Sequence, residues 1–223
     1  MSPTVCTLGS DADLVPPPRQ VSSYYRLAPT TYKRTLVGAG LARENSAMLT
    51  LTNHWVDQAR KVPSPNFNAR PDPEDISLVV IHNISLPPEE FGGPQVEAFF
   101  QNRLDPSEHP YFEEIRDLKV SAHFLIRRDG ELVQFVACDQ RAWHAGVSRW
   151  RDRDNCNDFA LGIELEGADH VPFEDAQYRS LRALLGALIA HYPRLSNDAI
   201  TGHEHIAPGR KTDPGPAFDW TRL

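Results

Sequence analysis

Residues 202–216 read GHEHIAPGRKTDPGP, a run that carries two histidines, a lysine and an aspartate among three prolines. Proline removes a backbone donor and clashes with the preceding turn, so no helix is expected to pass through. A loop that aims side chains at a point is the natural reading. Histidine and carboxylate together suit a hydrolytic zinc site, which takes three protein ligands and leaves a fourth position for water. The sequence has nine histidines from which to build one. His82 ends the most apolar run, ISLVVIHNI, between Ile81 and Asn83. There it is either a core histidine satisfied by a hydrogen bond or a ligand projected from a strand end. His203 closes a second strand-like segment, and Asp213 follows ten residues later across stiffening prolines. His82, His203 and Asp213 would make an open zinc site; a solvated, proline-rich crossing is the bland alternative. His205 competes as a ligand, although strand alternation would point it to the opposite side.

Other groups could serve the same cavity. Glu164 and Glu166 share one facing in GIELEG, among Leu161, Ile163 and Leu165. A buried carboxylate has its pKa raised unless paired, which makes it either structural or a proton carrier. Spacing does not choose between the two. Lys211 lies two positions before Asp213, where its ammonium could stabilise a developing oxyanion or simply be a surface charge. Trp143 and His144, in RAWHAG, suit sugar or peptide contact, or an aromatic anchor. His123, alternating with Leu125, reads as structural.

These groups must be positioned by interleaved strands and helices. The β-branched run 76–84 reads as a buried central strand. Residues 121–137 read as two strands joined at Asp129-Gly130, a hairpin dipeptide. Residues 159–167 form another strand, and 198–203 a last one leading into the proline-rich loop. A helix is expected over 174–193, with Tyr178, Leu181, Leu185, Leu188, Ile189 and Tyr192 on one face and Pro193 stopping it. A shorter helix is expected over 93–104. The hairpin excludes an all-parallel sheet, so the fold class is α/β with a central mixed sheet and flanking helices.

Composition bounds the rest. Of 223 residues 40% are apolar and 24% charged, values of a globular domain, and the net charge of -7 opposes polyanion binding. No nucleic-acid partner is expected. Three cysteines without CxxC spacing argue against a disulfide framework and fit a reducing compartment. Nothing resembles a signal peptide or an apolar run of about 18 residues, so neither export nor a membrane partner is expected. Residues 1–47 lack sustained periodicity and read as a poorly ordered extension before a domain at 48–223; Met48 suggests that the start codon is assigned too far upstream.

The blocks VIHNIS, FGGP, HPYF, VSAHFLIRRDG, RAWHAGVS, CNDFALGIELEG and GHEHIAPGRKTDPGPAFDW together resemble the cytosolic 1,6-anhydro-N-acetylmuramyl-L-alanine amidases of the AmpD type. They run in order from about Val56 to Trp220. The resemblance implies an amidase and peptidoglycan-recognition-like sheet, zinc on His82, His203 and Asp213, proton transfer by Glu164, and stabilisation of the carbonyl oxygen by Lys211. It implies hydrolysis of the amide between anhydromuramic acid and L-alanine in cytoplasmic muropeptides during cell-wall recycling, with no obligatory protein partner. It also implies substrate contacts from Asn83, Trp143 and Lys119. Lys119 stands where relatives often have arginine, which keeps the charge and loses the bidentate fork. Asn155 replaces a basic residue of some relatives. A binding module that has lost catalysis and a lytic amidase acting on intact wall are the rival readings. The complete ligand set and Lys211 oppose the first, and the missing signal peptide opposes the second.

Overall fold

The structure is a computed structural model and describes residues 48–223; the expected extension over 1–47 lies outside the described residues. Six strands form the main sheet: β1 (Arg60–Lys61), β2 (Leu78–Ile84), β3 (Phe124–Ile126), β4 (Leu132–Gln134), β5 (Ala160–Glu166) and β6 (Ile200–Gly202). Their order is β6-β2-β5-β3-β4-β1. The neighbours from β6 to β3 are parallel, β3 and β4 form the expected antiparallel hairpin, and β1 joins β4 in parallel. The sheet is therefore mixed. Gly130, at φ +89°, takes the left-handed conformation that the turn into β4 requires.

The two long strands are buried on both faces, which explains why their sequences read as nearly continuous apolar runs. Val79, Ile81, Leu161, Ile163 and Leu165 pack against helix α3 (Asp175–His191) through Tyr178, Leu181, Leu184, Leu185 and Leu188. Leu184 joins the expected stripe, while Ile189 is only partly buried. On the opposite face, α1 (Gln95–Phe100) and α2 (Pro110–Ile115) cover Leu125 and Val133. Helix α2 carried no strong apolar period, but Pro110 opens it and the His109 side chain accepts a hydrogen bond from the Tyr111 N–H. Further along this face Leu78, Val80 and Ala160 meet Ala145, Phe159 and Ile206.

One turn of helix, α4 (His203–Ile206), lies inside the segment expected to be pure loop. Proline forbids continuation of a helix rather than its start, and α4 ends at Ile206, with Ala207 as its C-cap before Pro208.

Helix α3 is fastened to the sheet by a fully buried Gln177. Its Nε2 donates to the carbonyls of Ile126 (3.1 Å) and Glu166 (3.0 Å), at the carboxyl ends of β3 and β5. Its Oε1 accepts from the N–H of Glu174 at 3.0 Å, closing a capping box. Gln177→Ala strands buried carbonyls and opens the cap, and is expected to cost about 2–4 kcal/mol. Urea unfolding checks this; a shift in stability under about 0.5 kcal/mol, the level of an ordinary surface change, would show the fastening to be idle.

Candidate metal centre

Strand register assembles the site. Glu164 on β5 is paired with His82 on β2, and Gly202 on β6 is paired with Ile81, so His203 emerges beside His82. Three chemically active residues thus lie side by side at the carboxyl ends of parallel strands, where open α/β sheets place ligand sites. Asp213 is brought back to the same point by its loop. The Glu204 N–H donates to the Asp213 carbonyl at 2.9 Å, and the Asn83 Nδ2 donates to the Pro214 carbonyl at 3.0 Å and to Asp169 Oδ1 at 2.7 Å. Gly215, at φ +80°, lets the loop pass where a Cβ would stand 2.4 Å from the Asp169 Cα.

The outcome is a triangle of ligand atoms. His82 Nδ1, His203 Nδ1 and Asp213 Oδ2 are mutually 3.0 Å apart. The His203 Nε2 lies 3.0 Å from the Ala145 carbonyl, an acceptor only. That nitrogen therefore carries a proton, and Nδ1 is the ring atom turned into the triangle. His82 is buried, and burial first, then the neighbouring His203, lower its pKa to about 4. It is neutral at physiological pH. Burial alone would raise Asp213, but hydrogen bonds to His203 and His82 outweigh it and hold the carboxyl well below the usual range. Three atoms able to offer lone pairs thus face one point, the arrangement a cation can bridge. The same three residues are the group of His, Cys, Asp and Glu side chains, among the described residues, whose ligand atoms converge closely enough for one metal ion. Two imidazole nitrogens and one carboxylate oxygen are a donor set that fits zinc.

Around the triangle the expected residues fall into distinct places. Glu164 is buried and its Oε2 has no hydrogen-bond partner. Burial, then the negative Asp213, push its pKa well up, while the positive charge of Lys211 pulls the other way. The charge of Lys211 is near enough to act on both Glu164 and His82. Glu166 is occupied elsewhere: its oxygens accept from the N–H groups of Gly92 (2.6 Å) and Arg128 (3.0 Å). That separates two carboxylates that the sequence left equivalent. His205 is exposed on α4, a helix and not a continuing strand, and stays outside the ligand triangle. Asn83 spends both amide hydrogens on Asp169 and Pro214, and the Trp143 indole donates to Asn68 Oδ1 at 2.7 Å. Lys119 lines a cavity of about 140 Å³ with Phe99, Asn102, Leu104 and Arg116, and none of the triangle residues borders it.

Three comparisons with known proteins bear on this centre. Residues 72–216 match the family model described as N-acetylmuramoyl-L-alanine amidase, and that span contains the whole triangle together with Glu164 and Lys211. The chain belongs to the N-acetylmuramoyl-L-alanine amidase family. Among relatives, the 1,6-anhydro-N-acetylmuramyl-L-alanine amidase AmpD of Escherichia coli is 58% identical over 175 residues, covering 78% of this chain and 95% of its own. The AmpD of Citrobacter freundii is also 58% identical over 175 residues, at 78% and 93% coverage. The crystal structure of a selenomethionine AmpD derivative superposes with a TM-score of 0.76 at 57% identity, covering 78% of this chain and 97% of its own. The amidase fold expected from the sequence is thus the fold observed.

Two buried groups away from the triangle support the family's sheet: Arg70, which the sequence did not single out, and His123, expected to be structural. Arg70 is buried without an acidic partner and donates to the carbonyls of Cys138, Asn157 and Ala160 at 2.8–3.2 Å. His123 accepts the Gly162 N–H at Nδ1 (3.0 Å), so its Nε2 carries the proton and faces the Gln140 carbonyl at 3.0 Å. Burial, then the charge of Arg70, lower its pKa to about 3. A histidine held neutral contributes stability that is complete above its unfolded pKa of about 6.5 and declines as pH falls toward the folded value. Between about pH 6.5 and 4.5 His123→Gln should therefore lessen the loss of unfolding free energy by up to about 1.4 kcal/mol per pH unit; parallel pH profiles for the two proteins would refute the assignment.

The triangle generates its own expectation. Zinc at a hundredfold excess over its dissociation constant should raise the unfolding free energy by about 2.7 kcal/mol, and Asp213→Ala should abolish the rise. Thermal denaturation with and without chelator measures it, and an equal rise in the variant would place the ion elsewhere.

Proposed function

We propose that the chain is a zinc-dependent amidase that hydrolyses the amide between 1,6-anhydro-N-acetylmuramic acid and L-alanine in cytoplasmic muropeptides. The observation that carries the reading is the convergence of His82 Nδ1, His203 Nδ1 and Asp213 Oδ2 on one point, with Glu164 paired beside His82. The substrate is supported by relatives that bear this activity in their names over nearly their whole length. A reducing, cytoplasmic setting is supported by the two described cysteines, Cys138 and Cys156, which are buried free thiols. No helix among the described residues is long and apolar enough to cross a membrane.

His82, His203 and Asp213 would hold the ion, which when bound supplies Lewis acidity to acidify a water and polarise the scissile carbonyl. The chain's own groups do the remainder. Glu164 is the proton carrier: its carboxylate takes a proton from the attacking water and delivers it to the departing L-alanine nitrogen. Its position beside His82 and its unpartnered Oε2 suit a group that must accept and release a proton without breaking a structural bond. Lys211 presents a fixed ammonium to the carbonyl oxygen as negative charge develops there. Asn83 holds the Asp213 loop with its amide hydrogens and leaves Oδ1 to accept an N–H of the substrate. Trp143 offers an apolar face near the sugar, and Lys119, with Arg116 in its cavity, offers positive charge to a peptide carboxylate. Lysine there meets the carboxylate as a point charge and not as a fork.

Release of free peptide from a purified anhydromuropeptide tests the assignment, and zinc-loaded protein that releases none would mark a binding module instead. Lys211→Ala and Glu164→Gln should retain zinc and lose turnover, the lysine variant by about 10²–10³. Zinc loss equal to that of Asp213→Ala would remove both from the catalytic roles.

A further inference from the structure

His144 stands next to the triangle and has no part in the reaction described above. Its Nδ1 lies 3.0 Å from His82 Nε2, the nitrogen of that ligand facing away from the triangle, and the two rings meet edge to face at 84°. The adjoining residue performs the matching task for the second ligand, because the Ala145 carbonyl receives His203 Nε2 at 3.0 Å. Consecutive residues of one segment therefore contact the outward nitrogens of both imidazoles. The segment is itself pinned, since Asn157 Oδ1 accepts from the N–H groups of His144 (3.1 Å) and Ala145 (2.9 Å).

Two further features separate this arrangement from ordinary packing. Gly162, in the middle of β5, is the floor on which the His144 ring rests; a Cβ there would lie 2.5 Å from His144 Cγ. Glycine within a strand costs stability and marks a close approach. In addition, the other ring nitrogen of His144, Nε2, is shielded from solvent and has no hydrogen-bond partner. A phenyl ring would fill the same space without a stranded nitrogen, so burial alone does not favour histidine.

We infer that His144 is a positioning residue: its Nδ1 accepts the Nε2–H of His82, fixing that ligand's tautomer and ring angle so that the Nδ1 lone pair points into the triangle. The inference rests on the metal-binding reading of the triangle. Loss of such outer partners commonly lowers metal affinity by about 10–100-fold.

The test compares the whole chain with His144→Phe, which keeps ring bulk and removes the acceptor, and His144→Asn, whose carboxamide oxygen can occupy the place of Nδ1. Zinc dissociation constants are measured by competition with a chromophoric chelator, and melting is followed on the metal-free proteins. The Phe variant is expected to bind zinc about 10–100-fold more weakly while its metal-free form melts at or above the wild-type temperature. The Asn variant is expected to recover most of the affinity. In zinc-loaded wild-type protein, nitrogen-15 spectra are expected to show a coupling across the hydrogen bond between His82 Nε2 and His144 Nδ1. Unchanged affinity in the Phe variant, a metal-free Phe variant destabilised in step with its affinity, an Asn variant as weak as Phe, or absence of that coupling would each overturn the inference. A wild-type chain that binds no divalent ion would instead overturn the reading beneath it.

Discussion

Parallel register among β6, β2 and β5 is the constraint on which the chemistry depends. Because Glu164 pairs with His82 and Gly202 with Ile81, residues distant in sequence arrive abreast at the carboxyl ends of neighbouring strands. A slip of one residue in any of these strands would turn its functional side chain to the opposite face, into the apolar layer beneath α3. The register is defended by burial on both faces, and Gln177 ties the ends of β3 and β5 to α3. The core is thus the device that sets interatomic distances in the site.

Within that frame, the site is built against its own electrostatics. His82 is kept neutral by burial, and a carboxylate is kept ionised beside it. Each ring has its outward nitrogen occupied by the 144–145 segment, while Asn83 and Glu204 clamp the loop that returns Asp213. Their combined effect is to hold three potential ligand atoms at one point. The same low-dielectric surroundings raise Glu164, so one burial shapes both the triangle and the carboxyl beside it.

Much of this was legible in the sequence. The triangle residues His82, His203 and Asp213 stood at the ends of strand-like runs or among prolines, and the central strands announced themselves by continuous β-branched apolar residues. The hairpin at Gly130 and helix α3 followed from turn chemistry and periodicity. Less legible were features settled only by contact. Glu164 and Glu166 share a face, and only the N–H groups of Gly92 and Arg128 show which is occupied. Helix α4 hid because prolines later in the segment masked a single turn before them. Short pairings such as β1 with β4 have too few residues to show a period. His144 offered one readable signal, the glycine at 162 inside a strand, but the ring that needs that space comes from another segment.

The central claim is that His82 Nδ1, His203 Nδ1 and Asp213 Oδ2 share one divalent ion. An anomalous-scattering map from crystals of the zinc-loaded chain tests it most directly. The account requires a single peak bonded to those three atoms at about 2.0–2.2 Å. A peak bonded through the Nε2 of either histidine, or an ion held away from Asp213, would contradict it.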